Sequence, residues 1–324
     1  MTEEAASRRK YESIEELPGV NTSTALKLRE IGFQTVESLA MATVREFEQA
    51  GIGVRAASEI IEAARSSVAS SFIRADEVHK TRLNVQRLTT GSKKLDTLLG
   101  GGLESQEITE FYGEYSSGKS QIAHQLCVNV QLPPENGGLN GGALYIDTEN
   151  TFKTERIVHM AKHLTLNPDE AMKNIIVAEA YNSDHQMSLL ENSDRYIKEN
   201  NIRLIVIDSL TAHFRSEYMG RENLALRQQK INTHMHKLIR LARAFNAVAF
   251  VTNQVMSSPD IFFGDAVRPT GGHVVGHTSH TRVYLRKSSR SPVRIARLVS
   301  SSYLPEGEVT FKITENGIED VEEE

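Results

Sequence analysis

The segment Gly113-Glu114-Tyr115-Ser116-Ser117-Gly118-Lys119-Ser120 constrains the fold more than any other feature of the chain. It follows the apolar run Ile108 to Tyr112 and precedes a helical stretch carrying Ile122, Ala123, Leu126 and Val130. Strand, glycine-bearing loop and helix in that order build a phosphate-binding loop. The chemistry sets the spacing. Glycines let successive backbone amides ring a phosphate, Lys119 brings a positive charge to the β and γ groups, and Ser120 offers a hydroxyl to magnesium. The positive end of the helix dipole adds to the attraction. Nucleotide binding is therefore expected.

Such a loop needs a sheet to stand on. Apolar runs at Ala143 to Ile146, Ile175 to Ala178, Leu204 to Ile207 and Ala247 to Val251 alternate with helical stretches, which predicts a largely parallel α/β sheet buried on both faces. Arg282 to Leu285, Ile295 to Val299 and Val309 to Ile313 follow one another closely and predict an antiparallel extension. The Leu204 to Ile207 run ends in Asp208, placed to hold magnesium through water. Leu144 to Asp147 delivers Thr148 and Glu149 at a carboxyl end, where α/β sheets build their sites, so Glu149 is the candidate base that orients a water. Asn253-Gln254 closes another strand and can set an amide against a γ-phosphate.

The 324 residues predict about two domains. Residues 14 to 69 carry short helical patterns, among them Ala25, Leu26, Leu28 and Ile31, then Val36, Leu39 and Ala40, then Ile60, Ile61, Ala63 and Ala64, which predicts a small all-helical domain. Its turns Leu17-Pro18-Gly19-Val20 and Gly51-Ile52-Gly53-Val54 resemble helix-hairpin-helix turns, whose amides hold DNA backbone without reading sequence; they serve equally as helix caps. Residues 70 to 90 are polar and read as a linker. In it stands Phe72-Ile73-Arg74-Ala75, where Phe72 either anchors against its own domain or docks on a neighbouring subunit. Residues 91 to 324 form the core domain. Residues 1 to 13 are expected to be disordered, and the acidic tail from Glu306 to Glu324 to be solvated and frayed at its end.

A single cysteine, Cys127, excludes an internal disulfide and the metal arrays built from paired cysteines, and fits a reducing cytosol. No run approaches the roughly eighteen apolar residues of a membrane span, and the start lacks a signal-peptide core. Lys plus Arg is 37 and Asp plus Glu is 42, a net charge of −5, so any polyanion must be held by a local patch. One exists between residues 203 and 243, where eight basic residues stand against three acidic ones.

Gly113 to Gln121, Tyr145-Ile146-Asp147-Thr148-Glu149-Asn150-Thr151-Phe152, Leu204 to Ser209, Arg221-Glu222-Asn223-Leu224-Ala225 and Thr252-Asn253-Gln254-Val255 together resemble the archaeal RadA recombinase family, and the similarity runs over nearly the whole chain. The resemblance implies a RecA-like ATPase core behind a helix-hairpin-helix domain. It implies a DNA-dependent ATPase that forms helical filaments on single-stranded DNA, searches double-stranded DNA for homology and exchanges strands in recombinational repair. ATP and Mg2+ would be its cofactors. Gly113, Glu114, Tyr115, Ser116, Ser117, Gly118, Lys119, Ser120 and Gln121 would contact the nucleotide, Arg156 would stack on adenine, and the segment Tyr303-Leu304-Pro305-Glu306 of a neighbouring protomer, Pro305 in it, would cover the bound ATP. Lys119, Glu149 and Gln254 match the catalytic positions, and Ser120 and Asp208 the metal ligands. Phe72 and Ala75 match the polymerisation motif. Arg215, Arg221 and Arg227 match DNA-binding arginines of a first loop, about residues 211 to 227. Gly271 and Gly272 belong to a second, from Met256 to about Ser279, and His273 with Gln254 would join it to nucleotide sensing. Further copies of the chain in a filament or ring, and recombination mediators, would be its protein partners, and a nucleoid-associated place in the cytoplasm its location.

Several positions depart from the family pattern. Ser116 and Asn150 stand where it usually has glycine. Ser300-Ser301-Ser302 stands where it has an acidic, proline-containing cap, so a carboxylate for a monovalent cation and a proline that covers the adenine are both missing, and weaker potassium dependence is expected. Arg268 and Pro269 replace apolar residues of the second loop. An accessory paralogue of low turnover and a hexameric RecA-fold helicase are the competing readings, and retention of the helical domain and Phe72 argues against both.

Overall fold

The computed structural model describes residues 11–68, 74–83, 85–257 and 267–322. The chain divides into two compact units, Met1–Asn84 with Leu190–Lys198, and Val85–Leu189 with Glu199–Glu324.

In the first unit the helices Thr22–Glu30, Val36–Ala40, Val44–Gln49 and Val54–Val68 enclose a core that includes Leu28, Leu39, Phe47 and Ile60. Ala57, Ile60, Ile61 and Ala64 are the buried residues of the last helix, a spacing of three and four that turns one face inward. Helix starts are fixed by polar side chains: Asn21 Oδ1 accepts from the Thr24 amide at 2.8 Å, and Glu46 accepts from the Thr43 amide at 2.7 Å. Leu26, counted on the inward face from its pattern, is instead 56% exposed, because the three-residue step from Ala25 to Leu28 carries the buried stripe past it. The Tyr11 amide donates to Ser67 Oγ at 3.1 Å, so order begins before the first helix; residues 1–10 lie outside the described residues. The polar stretch read as a linker contains a helix, Ala75–Arg82, and the short strand Arg87–Leu88, which pairs antiparallel with Leu103–Glu104.

The second unit is built on a nine-stranded sheet. In chain order its strands are β1 (Ile108–Gly113), β2 (Gly142–Asp147), β3 (Ile175–Glu179), β4 (Ile202–Asp208), β5 (Val248–Asn253), β6 (Thr281–Lys287), β7 (Val293–Ser301), β8 (Gly307–Thr314) and β9 (Gly317–Asp320). Across the sheet they lie β9-β8-β7-β6-β1-β5-β4-β2-β3. The six from β6 to β3 are parallel, and β7, β8 and β9 extend the sheet antiparallel from β6. Every residue of β1, β2 and β5 is buried, as expected for strands covered on both faces. Phe111 and Phe250 meet between β1 and β5 with ring centroids 5.2 Å apart.

Each strand run read from the sequence is present. β9 is an addition, because it lies in the acidic tail. Asp320 accepts from Ser92 Oγ at 2.5 Å and from the Lys93 and Lys94 amides at 3.1 Å each. The free amides at the start of helix Lys93–Leu98 draw the carboxylate in, and the tail is paired, not frayed, as far as Asp320.

His234 is buried against Phe214 and accepts from Gln186 Nε2 at 3.2 Å. Burial pulls its pKa down to about 4, so the fold holds the neutral ring, whereas an unfolded histidine titrates near about 6.5. Stability from this group is complete above about pH 6.5 and falls as the pH drops toward 4, by up to about 3 kcal/mol. Urea midpoints at about pH 7 and about pH 4.5 check this. The drop should shrink in His234→Gln; an equal drop in both proteins would place the acid sensitivity elsewhere.

Candidate active site

The carboxyl ends of β1, β2, β4 and β5 converge on a cavity of about 300 Å³ whose walls include Lys119, Ser120, Glu149, Asp208, Gln254 and Arg294. Gly118 caps helix Lys119–Asn129 with φ 111° and no side-chain cap, so the first helical amides stay free for an anion. Gly113 is required for a different reason: a Cβ there would lie 2.2 Å from the Leu285 carbonyl oxygen on β6. Lys119 turns back over the loop and donates to the carbonyls of Gly113 and Glu114 at 2.9 Å each. Burial pulls its ammonium below the usual value, opposed by the charges of Asp208 and Glu149. Glu114, Tyr115 and Ser116 are exposed on the loop, and Ser117 is buried beneath Lys119, 3.4 Å from Nζ. Ser116 and Asn150 take φ of 62° and 53°. Both departures from glycine therefore keep the left-handed backbone that glycine adopts most easily.

Asp208 is 4% exposed. Its carboxylate accepts from the hydroxyls of Tyr145 at 2.6 Å, Thr151 at 3.3 Å, and Thr252. Among the described residues no ammonium or guanidinium is bonded to it. With the Ser120 hydroxyl on the same cavity, it forms the hard-oxygen donor set that Mg2+ takes. Burial, and then the Asp208 charge, push the Tyr145 phenol well above its usual value, so it stays a donor. The Asp147 carboxylate accepts from the amides of Glu149 at 3.1 Å, Thr151 at 3.2 Å and Phe152 at 2.9 Å, and this shapes the loop that presents Glu149. Sequence reasoning assigned no role to Tyr145, Asp147, Ser209 or Arg294. Asp147 carried the one usable signal, a carboxylate at a strand end just before a turn.

Glu149 Oε1 accepts from Ser209 Oγ at 2.6 Å and from Gln254 Nε2 at 2.8 Å, and Gln254 Oε1 accepts from Arg215 Nη1 at 3.0 Å. Glu149, Gln254 and Arg215 also line a second cavity of about 400 Å³ with Ala212 and Ser216. The candidate base and the candidate sensor are thus a shared wall between two cavities. Beneath them Asn253 is fully buried. Its Oδ1 accepts from Thr211 Oγ1 at 2.8 Å, from the Gln254 amide at 2.9 Å, and from Thr270 Oγ1. Its Nδ2 donates to Glu110 Oε1 at 2.8 Å and to the Thr270 carbonyl at 2.7 Å. Glu110 is in turn paired with Arg282 at 2.7 Å. Thr211 and Thr270, the anchors of the two expected DNA loops, therefore share one buried asparagine.

Other expected residues lie apart from the cavity. Arg156 donates to Gln121 Oε1 at 2.7 Å and to the carbonyls of Thr314 and Glu315 at 2.9 and 2.8 Å. Pro305 is exposed on the turn between β7 and β8. Arg221 is exposed, and Arg227 donates to the Tyr218 carbonyl at 3.3 Å. Gly271 and Gly272 open the helix Gly272–Thr278, and His273 on it stacks with His277 at 5.8 Å beside a separate cavity of about 520 Å³ that also holds His236 and His280. His273 and Gln254 line different cavities. Ala75 begins an exposed helix, whereas Phe72 and residues 258–266 of the second loop lie outside the described residues.

Comparison with known proteins agrees with this geometry. The Rad51 family profile matches residues 81–321, and a SAM-like helix-hairpin-helix tandem matches residues 11–66. The chain is 51% identical over 316 residues to the DNA repair and recombination protein RadA of Aeropyrum pernix, covering 97% of this chain and 99% of that one. It is 50% identical to the protein of that name from Ignicoccus hospitalis and 49% identical to that from Metallosphaera sedula, both over the full length of each chain. Phosphate loop, strand-end carboxylates, helical first unit and full-length similarity together place the chain in the Rad51 family, as a RadA-type DNA repair and recombination protein: an ATP-dependent strand-exchange recombinase with a RecA-like core.

Proposed function

We propose that ATP turnover at Glu149 sets the grip on DNA through Gln254 and Arg215. The observation that carries this is the continuous chain of hydrogen bonds Ser209–Glu149–Gln254–Arg215. It leads from the phosphate-loop cavity into the first loop. The family uses ATP with Mg2+, and in this chain Ser120 and Asp208 would hold the ion. Bound there, magnesium neutralises charge on the phosphates. Glu149, with one carboxylate oxygen fixed by two donors, orients a water and takes its proton. The free amides after Gly118 and the Lys119 ammonium stabilise charge on the phosphates. Gln254 cannot move toward a γ-phosphate without loosening its bonds to Glu149 or Arg215, so nucleotide state changes what Arg215 can reach.

Arg221, Arg227 and the glycines at 271 and 272 are the remaining DNA contacts of this reading. The helix-hairpin-helix turns hold backbone, and Phe72 with Ala75 joins protomers into a filament at the nucleoid. No helix among the described residues is long and apolar enough to cross a membrane. Ser300 is exposed near the end of β7 and gives no carboxylate to a monovalent cation, so potassium acts weakly.

ATP hydrolysis by the purified chain, with and without single-stranded DNA and with sodium exchanged for potassium, tests the reading. Turnover should rise severalfold with DNA and change less than about twofold with potassium, and Ser300→Asp should restore the potassium response. Turnover indifferent to DNA would defeat the coupling, and equal potassium activation of wild type and Ser300→Asp would defeat the role given to Ser300.

A further inference from the structure

Arg294, at the start of β7, lines the same cavity as Lys119 and Asp208. Two observations single it out. Its Nε is buried and has no hydrogen-bond partner. Its Nη1 reaches only the carbonyls of its own turn, Pro292 at 3.2 Å and Val293 at 3.1 Å, and among the described residues no carboxylate pairs with it. A guanidinium with a buried free donor is costly unless something binds it. It faces a cavity whose loop is built to hold phosphate.

Its place in the sheet says which part of a nucleotide it meets. Glu149, Asp208 and Gln254 come from β2, β4 and β5, all on one side of β1, whereas Arg294 comes from β7 on the other side. A Cβ added at Gly118 would lie 3.8 Å from Arg294 Nε and 2.5 Å from Ile313 Cδ1, so the guanidinium sits over the N-terminus of helix Lys119–Asn129. That terminus and Arg294 line one cavity, and Arg294 enters it from the side of β1 opposite Glu149.

We propose that Arg294 is a nucleotide-binding residue that donates to the α- or β-phosphate, from the flank opposite the hydrolytic groups. An arginine there presents a planar pair of donors that a lysine cannot reproduce. Because this phosphate is common to ATP and ADP, the contact strengthens both equally. The inference rests on nucleotide binding at the phosphate loop and is independent of the DNA coupling above.

Equilibrium binding of fluorescent ATP and ADP analogues to the full chain with Mg2+, without DNA, tests it. Arg294→Ala should weaken both nucleotides by roughly tenfold, Arg294→Lys should recover part of the loss, and Arg294→Gln, which keeps most of the stem, should behave like alanine. Thermal unfolding of each nucleotide-free variant should match the wild type, which separates a lost contact from a lost fold. Unchanged affinities in a folded Arg294→Ala and Arg294→Gln overturn the proposal, and so does weakening of ATP alone, which would move the contact to the γ end. Failure of the wild type itself to bind either analogue would instead defeat the phosphate-loop reading.

Discussion

Lys119→Ala is expected to reduce ATP hydrolysis by about a hundredfold to a thousandfold, at least about 3 kcal/mol of transition-state stabilisation. The same change should leave the nucleotide-free protein as stable as the wild type or slightly more so. Lys119 bonds loop carbonyls in this structure, and burial pulls its ammonium below the usual value, so its charge is held at a cost that alanine removes. Without it the amides after Gly118 still meet a phosphate, but the one ammonium that lines the cavity among the described residues is gone. Steady-state turnover with and without DNA, alongside thermal unfolding, checks both halves. Turnover within tenfold of wild type would show that another cation, Arg294 being the nearest candidate, carries the phosphate charge.

Glu149→Gln should give a protein that binds ATP and DNA and turns over about a hundredfold to ten-thousandfold more slowly. The amide keeps an oxygen where Glu149 Oε1 accepts from Ser209 and Gln254, so the wall between the two cavities survives. What disappears is a carboxylate able to take a proton. Nucleotide affinity and DNA binding should stay within a few fold of wild type, and complexes formed with ATP on DNA should persist. Rapid hydrolysis by this variant would locate the base elsewhere. Loss of DNA binding together with hydrolysis would mean that the charge of Glu149, not its basicity, holds Gln254 and Arg215.

The sequence made the phosphate loop, the buried strands and the carboxylates that end them readable, because each is a local pattern: a strand, a glycine-bearing turn, a helix with its start uncapped. Partnerships between distant polar residues left no such trace. Nothing in spacing says that Tyr145 bonds Asp208 across the β2–β4 pair, that Thr252 joins them from β5, or that Arg215 reaches Gln254. Those pairings depend on strand order, which the sheet alone supplies. Arg294 was invisible for the same reason, since β7 lies across the sheet from the other site residues. β9 was hidden by composition: Glu319 and Asp320 read as solvated charge until Asp320 is seen closing the amides of Lys93 and Lys94.

The shared asparagine has a consequence for how such loops diversify. Asn253 uses its oxygen and both amide hydrogens on Thr211, Thr270, Gln254 and Glu110, so both loops take a footing from one side chain. Next to Thr270 the chain forms a short antiparallel ladder, Val255 opposite Pro269 and Met256 opposite Arg268, and a backbone pairing of this kind tolerates changes of side chain such as Arg268 and Pro269. Segments carried on that ladder can then be exchanged while the ATP site is left unaltered, and a loop grafted from a relative between Gln254 and Thr270 should be accepted as a cartridge is by its socket.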